Sequence, residues 1–177
     1  LQGFPPASTF KVVTQTAGME SGKYPPNTIL STFAYLRVAG TAFGEWNRAG
    51  FGPIGYARAM AMSSNTFHGQ IGRGVGGPTL IKWARNYGFG SRTGIEIKEE
   101  TAGLIADDAW KQKRFEMKWS DGDSVNMSIG QGFTLATPLQ VAVMFAVPAN
   151  GGDRVIPHLL KDDSDSKKYR QSMQLKP

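Results

Sequence analysis

The sequence contains no cysteine, and this absence excludes several kinds of chemistry. Without a thiol, the 177-residue chain cannot form a disulfide bond, use a cysteine nucleophile or build a thiolate metal site. Its two histidines, His68 and His158, lie far apart in the sequence and have no metal-ligand spacing. We therefore expect no catalytic metal and no cofactor.

Long apolar runs are also missing. The longest one covers 141–147, is stopped by Pro148 and is too short to span a bilayer. No signal peptide is recognisable, and the chain begins with Leu1 rather than with methionine. We interpret the chain as an excised piece of a longer protein.

What remains is the composition of a globular domain. Apolar residues make up 40% of the chain and charged residues 19%, which favours a folded core over disorder. The net charge is +6, but the basic residues are scattered and lack the interleaved aromatic residues of a base-stacking surface, so we expect no nucleic-acid partner. We predict one partial domain over 1–177, in which the charged segment 162–177 is a mobile connector.

Hydrophobic spacing, proline and glycine positions predict short helices separated by turns. The predicted helices cover 8–20, 54–62, 67–73, 78–87, two turns from Asp107, and 137–147. Short strands or extended pieces are predicted at 34–38, at 94–97 and from Arg154 onward. The polar segment 121–126 is predicted to be a loop.

A serine hydroxyl and a lysine amine lie three residues apart, at Ser8 and Lys11, directly after a Pro-Pro entry. On a helix over 8–20 they share one face, one turn apart, so the amine can take a proton from the hydroxyl. The first turn of a helix also favours developing negative charge. The spacing alone is common by chance, and an ordinary capping serine is the alternative interpretation.

A second cluster, Ser63-Ser64-Asn65, follows a small-residue helix. A hydroxyl and a carboxamide on a tight turn can move a proton and hold an amide substrate, although a polar helix end is the simpler interpretation. Arg92-Thr93-Gly94 has the pattern of a basic residue before Thr-Gly, but we interpret it as a turn into a short strand.

The order of the segments says more than any one of them. They are Pro-Ala-Ser-Thr-Phe-Lys at 6–11, Ser-Ser-Asn-Thr at 63–66, the glycine-rich 87–95, the stretch 125–140 with Gly-Gln-Gly and Thr-Pro-Leu-Gln, and 150–159 with Asn-Gly-Gly and Pro-His-Leu. This succession resembles the transpeptidase domain of penicillin-binding proteins, in particular the class B enzymes of the elongation type. The resemblance runs over nearly the whole chain.

The resemblance implies a role for each site residue. Ser8 would be the acylated nucleophile and Lys11 the base that activates it. Ser63 would pass a proton to the leaving amine, and Asn65 would bind the amide of the substrate and steady Lys11. Ser63 and Asn65 would thus be both catalytic and substrate-binding.

The resemblance also implies a serine-type D-Ala-D-Ala transpeptidase that cross-links peptidoglycan. Its partners would be stem peptides, one as D-alanyl-D-alanine donor and one as amine acceptor, β-lactam antibiotics, and cell-wall elongation proteins such as a glycosyltransferase. The enzyme would lie on the outer, periplasmic face of the cytoplasmic membrane. An N-terminal transmembrane segment outside this chain would anchor it there. The implied fold is α+β: the mainly helical part of a β-lactamase-like domain, with most of the central antiparallel sheet missing from this chain.

The sequence departs from the family pattern in two ways. Ala7 stands where the family usually has glycine, and no Lys-Thr-Gly or Lys-Ser-Gly motif is present before Pro177. That motif completes the oxyanion site in the family, so we expect that this piece alone could be inactive. The structural zinc of some relatives is not expected without cysteine. A serine β-lactamase and a non-catalytic β-lactam sensor of the same fold remain alternatives.

Overall fold

The structure is a computed structural model that describes residues 2–160 and 168–176. A 3₁₀ turn, Ala7–Phe10, leads into the first helix. The helices are α1 (Lys11–Glu20), α2 (Tyr56–Ala61), α3 (Asn65–Val75), α4 (Gly77–Asn86), α5 (Asp108–Phe115), α6 (Asp121–Ser128) and α7 (Pro138–Ala149). The strands are β1 (Ile29–Thr32), β2 (Tyr35–Val38), β3 (Thr41–Gly44), β4 (Gly52–Gly55), β5 (Leu104–Ile105), β6 (Thr134–Leu135), β7 (Asp153–Val155) and β8 (Arg170–Ser172).

The strands pair two at a time, always antiparallel. The pairs are β1 with β4, β2 with β3, β5 with β6, and β7 with β8. Helices supply most of the regular structure, so the predicted α+β class with a mainly helical content is confirmed. No helix in the described ranges is both long enough and apolar enough to cross a bilayer.

Helix α1 lies at the centre of the helical layer, where it contacts α3, α4 and α6. Phe10, Val13 and Ala17 are completely buried on one side of it. Lys11 and Thr14 are equally buried on another side, so their polar atoms need partners inside the protein. Thr14 Oγ1 donates to the carbonyl oxygen of Ser128 at 2.6 Å. The helix that carries Lys11 is therefore held by three other helices.

Helices α3 and α6 pack closely because α3 has a glycine at their contact. A Cβ atom on Gly72 would lie 2.3 Å from Cβ of Ser128, far inside a normal contact. The close approach fixes the position of α3, and the Ser63-Ser64-Asn65 turn leads directly into that helix.

One predicted helix starts later than expected, and one predicted loop was wrong. The helix predicted over 54–62 begins only at Tyr56, because Gly52–Gly55 pairs with β1 as a strand. The loop predicted over 121–126 is helix α6. Ser120 and Asp123 form a reciprocal capping box that satisfies the first turn, a signal hidden by the polar composition of the segment.

The other predicted helices, and the strands predicted at 34–38 and from Arg154, correspond to the structure with shifted ends. The helix predicted over 67–73 is the longer α3, and the capped helices after Asp107 and Thr137 are α5 and α7. Residues 94–97 form no strand, and Ile97 N donates to the carbonyl of Ile95 in a tight turn. Residues 162–167 and 177 of the predicted connector lie outside the described residues, while Arg170–Ser172 within it pairs with β7.

Candidate active site

Ser8 and Lys11 are brought together by the 3₁₀ turn before α1. In a 3₁₀ turn the side chains at positions i and i+3 lie almost directly above one another. Lys11 Nζ donates to Ser8 Oγ at 3.2 Å. The Ser8 side chain is exposed, whereas Lys11 is completely buried. A solvent-exposed hydroxyl is thus hydrogen-bonded to a desolvated amine.

Lys11 also binds the second predicted cluster, more than fifty residues further along the chain. Its Nζ donates to Ser63 Oγ at 3.0 Å, to the carbonyl oxygen of Ser63 at 2.6 Å and to Asn65 Oδ1 at 2.8 Å. Burial lowers the pKa of Lys11 to about 8, an effect that the negative charge of Glu45 partly opposes. A substantial fraction of the amine is therefore neutral near pH 8 and able to accept a proton.

Ser63 lies in the turn between α2 and α3, in the left-handed backbone region with φ +49°. This conformation is unfavourable for a residue with a side chain, and here it directs Ser63 toward the first cluster. Ser63 Oγ donates to Ser8 Oγ at 3.0 Å. Ser64 then caps α3, accepting from Phe67 N at 3.2 Å.

Both ends of the Asn65 carboxamide have partners. Its Oδ1 accepts from Lys11, and its Nδ2 donates to the carbonyl oxygen of Gly44 at 3.0 Å. These two bonds set the orientation of the amide. The structure thus brings together the four residues that the sequence singled out, Ser8, Lys11, Ser63 and Asn65.

The turn before Ser8 is supported by a glycine from a distant segment. Ala7 has φ +50°, and its backbone N–H donates to the carbonyl oxygen of Gly130 at 3.0 Å. A Cβ atom on Gly130 would lie only 2.1 Å from the carbonyl oxygen of Ala7. The Gly-Gln-Gly segment therefore determines how the chain enters the turn that carries Ser8.

The Arg92-Thr93-Gly94 segment has different partners. Thr93 donates its backbone N–H and its hydroxyl to Glu100 Oε1, at 2.9 and 2.6 Å. The buried carboxylate of Glu100 thus holds this turn in place, as expected for a structural turn.

Sequence reasoning missed Glu45, which the structure places beside the site. Its carboxylate is buried and accepts hydrogen bonds from the first turn of α3. Burial alone would raise the pKa of Glu45, but these hydrogen bonds outweigh it and hold the pKa below its ordinary value. One signal was available: Glu45 is the only acidic residue between Glu20 and Glu96.

His68 was also missed, and it links α3 to α1. Its ring is completely buried, with Nδ1 2.6 Å from the carbonyl oxygen of Ser64 and Nε2 3.0 Å from Gln15 Nε2. Because a carbonyl only accepts, Nδ1 carries the proton, and Nε2 accepts from the Gln15 amide. Burial lowers the pKa of His68 to about 4, so the ring is neutral at physiological pH.

Together these contacts can support nucleophilic chemistry. An exposed hydroxyl is paired with a buried amine whose pKa is lowered, and a second hydroxyl lies within hydrogen-bond distance of both. Such a set can remove a proton from one oxygen and deliver it elsewhere. These are the features of a serine acyltransferase site on an α+β fold.

Comparison with known proteins gives the family. The model of the penicillin-binding protein transpeptidase domain matches residues 2–176. The chain belongs to this family.

The relatives agree with the elongation-type class B resemblance, which is confirmed. The peptidoglycan D,D-transpeptidase MrdA of Haemophilus influenzae is 38% identical over 160 residues, which are 89% of this chain and 25% of that protein. The MrdA protein of Escherichia coli is 32% identical over 167 residues, which are 93% of this chain and 26% of that protein. The chain therefore spans about a quarter of the length of these curated relatives.

Solved structures give the same fold. The penicillin-binding protein PBP2 of Helicobacter pylori, in complex with MreC, superposes with a TM-score of 0.86 at 31% identity, covering 91% of this chain and 30% of that one. Penicillin-binding protein 3 of Mycobacterium tuberculosis, complexed with ampicillin, superposes with a TM-score of 0.77 at 30% identity, covering 90% of this chain and 33% of that one.

Proposed function

We propose that this chain is part of a peptidoglycan D,D-transpeptidase, in which Ser8 is the acylated nucleophile. One observation carries the proposal: the buried amine of Lys11 lies 3.2 Å from Ser8 Oγ and 3.0 Å from Ser63 Oγ. The family membership and the relatives named D,D-transpeptidase support the same reaction.

In the acylation step, Ser8 Oγ attacks the carbonyl carbon between the two D-alanines of a donor stem peptide. Lys11 Nζ takes the hydroxyl proton as the new C–O bond forms. The C–N bond then breaks, and the terminal D-alanine leaves as an amine after Ser63 passes its proton to the nitrogen and takes up the proton held by Lys11. Asn65 binds an amide group of the donor and keeps Lys11 in place.

In the second step, an amine of a neighbouring stem peptide attacks the acyl-enzyme ester. The ester C–O bond breaks, the new amide bond forms, and the proton from the attacking amine returns to Ser8 Oγ through Lys11 or Ser63. The products are a cross-linked peptide and free Ser8. A β-lactam would acylate the same hydroxyl and block this second step.

The proposal extends to partners and location. The complex of Helicobacter pylori PBP2 with MreC supports assembly with another protein, and as partners we propose cell-wall elongation proteins such as a glycosyltransferase. The substrate is peptidoglycan, so the site works in the periplasm, on a protein anchored in the cytoplasmic membrane.

The test is covalent labelling of the full-length protein with a fluorescent penicillin. We expect stable labelling of the wild type at Ser8, located by peptide mass spectrometry, and none in Ser8→Ala. The control is Ser21→Ala, at the end of α1, which should label like the wild type. Labelling that survives Ser8→Ala would overturn the assignment. Rapid turnover of the penicillin would favour the β-lactamase alternative, and acylation without transfer to an added amine acceptor would favour the sensor.

A further inference from the structure

Glu45 carries a buried negative charge, and no ion pair with a basic side chain forms around it among the described residues. It follows β3 directly and is 8% exposed. Burying a carboxylate is costly unless hydrogen bonds replace its water. The hydrogen bonds of the Glu45 carboxylate therefore indicate which part of the protein its charge stabilises.

Both carboxylate oxygens of Glu45 bind the start of α3. Oε2 accepts from Ser64 Oγ at 2.6 Å and from the backbone N–H and hydroxyl of Thr66, each at 3.1 Å. Oε1 accepts from Asn65 N at 3.1 Å and from Trp46 N at 3.2 Å. The first N–H groups of a helix have no partner within the helix and lie at the positive end of its dipole. The buried carboxylate of Glu45 accepts hydrogen bonds from these N–H groups and places a negative charge at the positive end of the dipole.

The residues bound by Glu45 belong to the segment that carries Ser63 and Asn65 of the candidate site. Ser64, whose hydroxyl donates to Glu45, lies between Ser63 and Asn65 in the sequence. Asn65 is held twice by the same segment, since its backbone N–H binds the Glu45 carboxylate and its side-chain Nδ2 binds the Gly44 carbonyl. A shift of Glu45 would therefore shift both residues that contact Lys11.

We propose that Glu45 is a positioning residue of the transpeptidase reaction: its buried carboxylate binds the first turn of α3 and holds Ser63 and Asn65 against Lys11. The inference rests on the function proposed above. It assigns no contact between Glu45 and the substrate, because the carboxylate acts through α3.

The charge of Glu45 has a second effect, on Lys11. Burial lowers the pKa of Lys11, and Glu45 acts against that lowering. The other titratable group whose charge couples to both is His68 on α3, which is neutral at physiological pH. Removing the Glu45 charge should thus lower the pKa of Lys11 further and leave the neutral amine present at lower pH.

The experiment compares acylation rates of full-length variants with a fluorescent penicillin, as a function of pH. Glu45→Gln keeps the size of the side chain, but its NH₂ group faces N–H donors. Glu45→Asp keeps the charge but is shorter by one methylene, so it cannot reach both sides of the turn. The matched control is Glu100→Gln, which alters another buried carboxylate, bound to Thr93.

We expect Glu45→Gln to slow acylation by about 10²-fold, as for a small misplacement of reacting groups, and to move the rise of rate with pH to lower pH. Glu45→Asp should also be slow, with the rise near its wild-type pH. Glu100→Gln should keep both properties. A variant that merely unfolds loses labelled protein without moving the pH midpoint, so the rate is measured on the labelled fraction.

Two results would overturn the inference. The first is a Glu45→Asp protein that acylates at the wild-type rate, which would show that the reach of the carboxylate is not needed. The second is a Glu45→Gln protein whose rate and pH midpoint equal those of the wild type. Either result leaves the proposed function intact if Ser8→Ala still abolishes labelling. Persistent labelling of Ser8→Ala would instead overturn the function itself.

Discussion

Ser63 Oγ lies 3.0 Å from Ser8 Oγ and donates a hydrogen bond to it, although 55 positions separate the two residues. Lys11 Nζ lies within hydrogen-bond distance of both hydroxyls. The three groups form a closed set in which each can exchange a proton with the other two. Removing one member therefore tests a specific step of the proposed reaction.

Ser63→Ala removes the hydroxyl that we propose as the proton donor to the leaving nitrogen. We expect acylation by a fluorescent penicillin to slow by about 10²–10⁴-fold, the usual contribution of a positioned proton-transfer group, with label still formed at Ser8. Stopped-flow labelling measures the rate. Ser21→Ala serves as the control, and a wild-type rate in Ser63→Ala would show that Ser63 is not in the proton path.

The pKa of Lys11 predicts the pH dependence of acylation. Only the neutral amine can accept the Ser8 proton, so the rate should rise with pH and reach half of its maximum near pH 8. Lys11→Arg should lose acylation without recovery at alkaline pH, because the guanidinium stays protonated. The exposed Lys82→Arg is the control. A rate in the wild type that falls as pH rises through 8 would contradict Lys11 as the base.

Gly130→Ala tests the support of the turn before Ser8. Gly130 and Gly22 have nearly the same positive φ, +70° and +73°. A Cβ on Gly22 meets nothing within 4 Å, whereas one on Gly130 clashes with the Ala7 carbonyl. Gly22→Ala should therefore cost only the conformational strain, about 1–2 kcal/mol.

Gly130→Ala adds the clash to the same strain and should lower the free energy of unfolding by at least about 3 kcal/mol. It should also slow acylation, because Ser8 must move with Ala7. Chemical denaturation and penicillin labelling measure the two effects. Equal losses of stability in the two variants, with equal labelling rates, would show that the close approach has no consequence.

The sequence predicted which side chains form the candidate site better than the path of the chain around them. Ser8 and Lys11 are linked by local spacing, and Ser63 and Asn65 by a short motif, so motif order was sufficient to find them. The contact between the two pairs was not predictable from periodicity, because it depends on the packing of α3 against α1. Only the resemblance to a family connected them.

Glu45 shows why other parts of the site and the fold could not be predicted from the sequence. Two of its partners are backbone N–H groups of a helix that begins twenty positions later, and backbone groups leave no mark on the sequence. The surrounding segment has no clear period because β2 and β3 are only four residues long each and bury few side chains. Helix α6 was missed for a related reason, since its start depends on capping by Ser120 rather than on apolar spacing.

His68 predicts how stability depends on pH. In the folded protein its pKa is lowered to about 4, whereas an unfolded histidine titrates near its ordinary value of 6.5. Between these values the unfolded chain binds more protons than the folded one. Stability is therefore fully present above about pH 6.5 and is lost as pH falls toward 4, by up to about 3 kcal/mol.

His68→Gln should remove this part of the pH dependence. The carboxamide can still bind the Ser64 carbonyl or the Gln15 amide, but it takes up no proton. The pKa of Glu45 lies below its ordinary value, so the loss from that carboxylate falls at more acid pH. Urea denaturation at a series of pH values compares the wild type, His68→Gln and the control His158→Gln. If His68→Gln retains the full slope between about pH 6.5 and 4, the buried neutral ring of His68 is not its source.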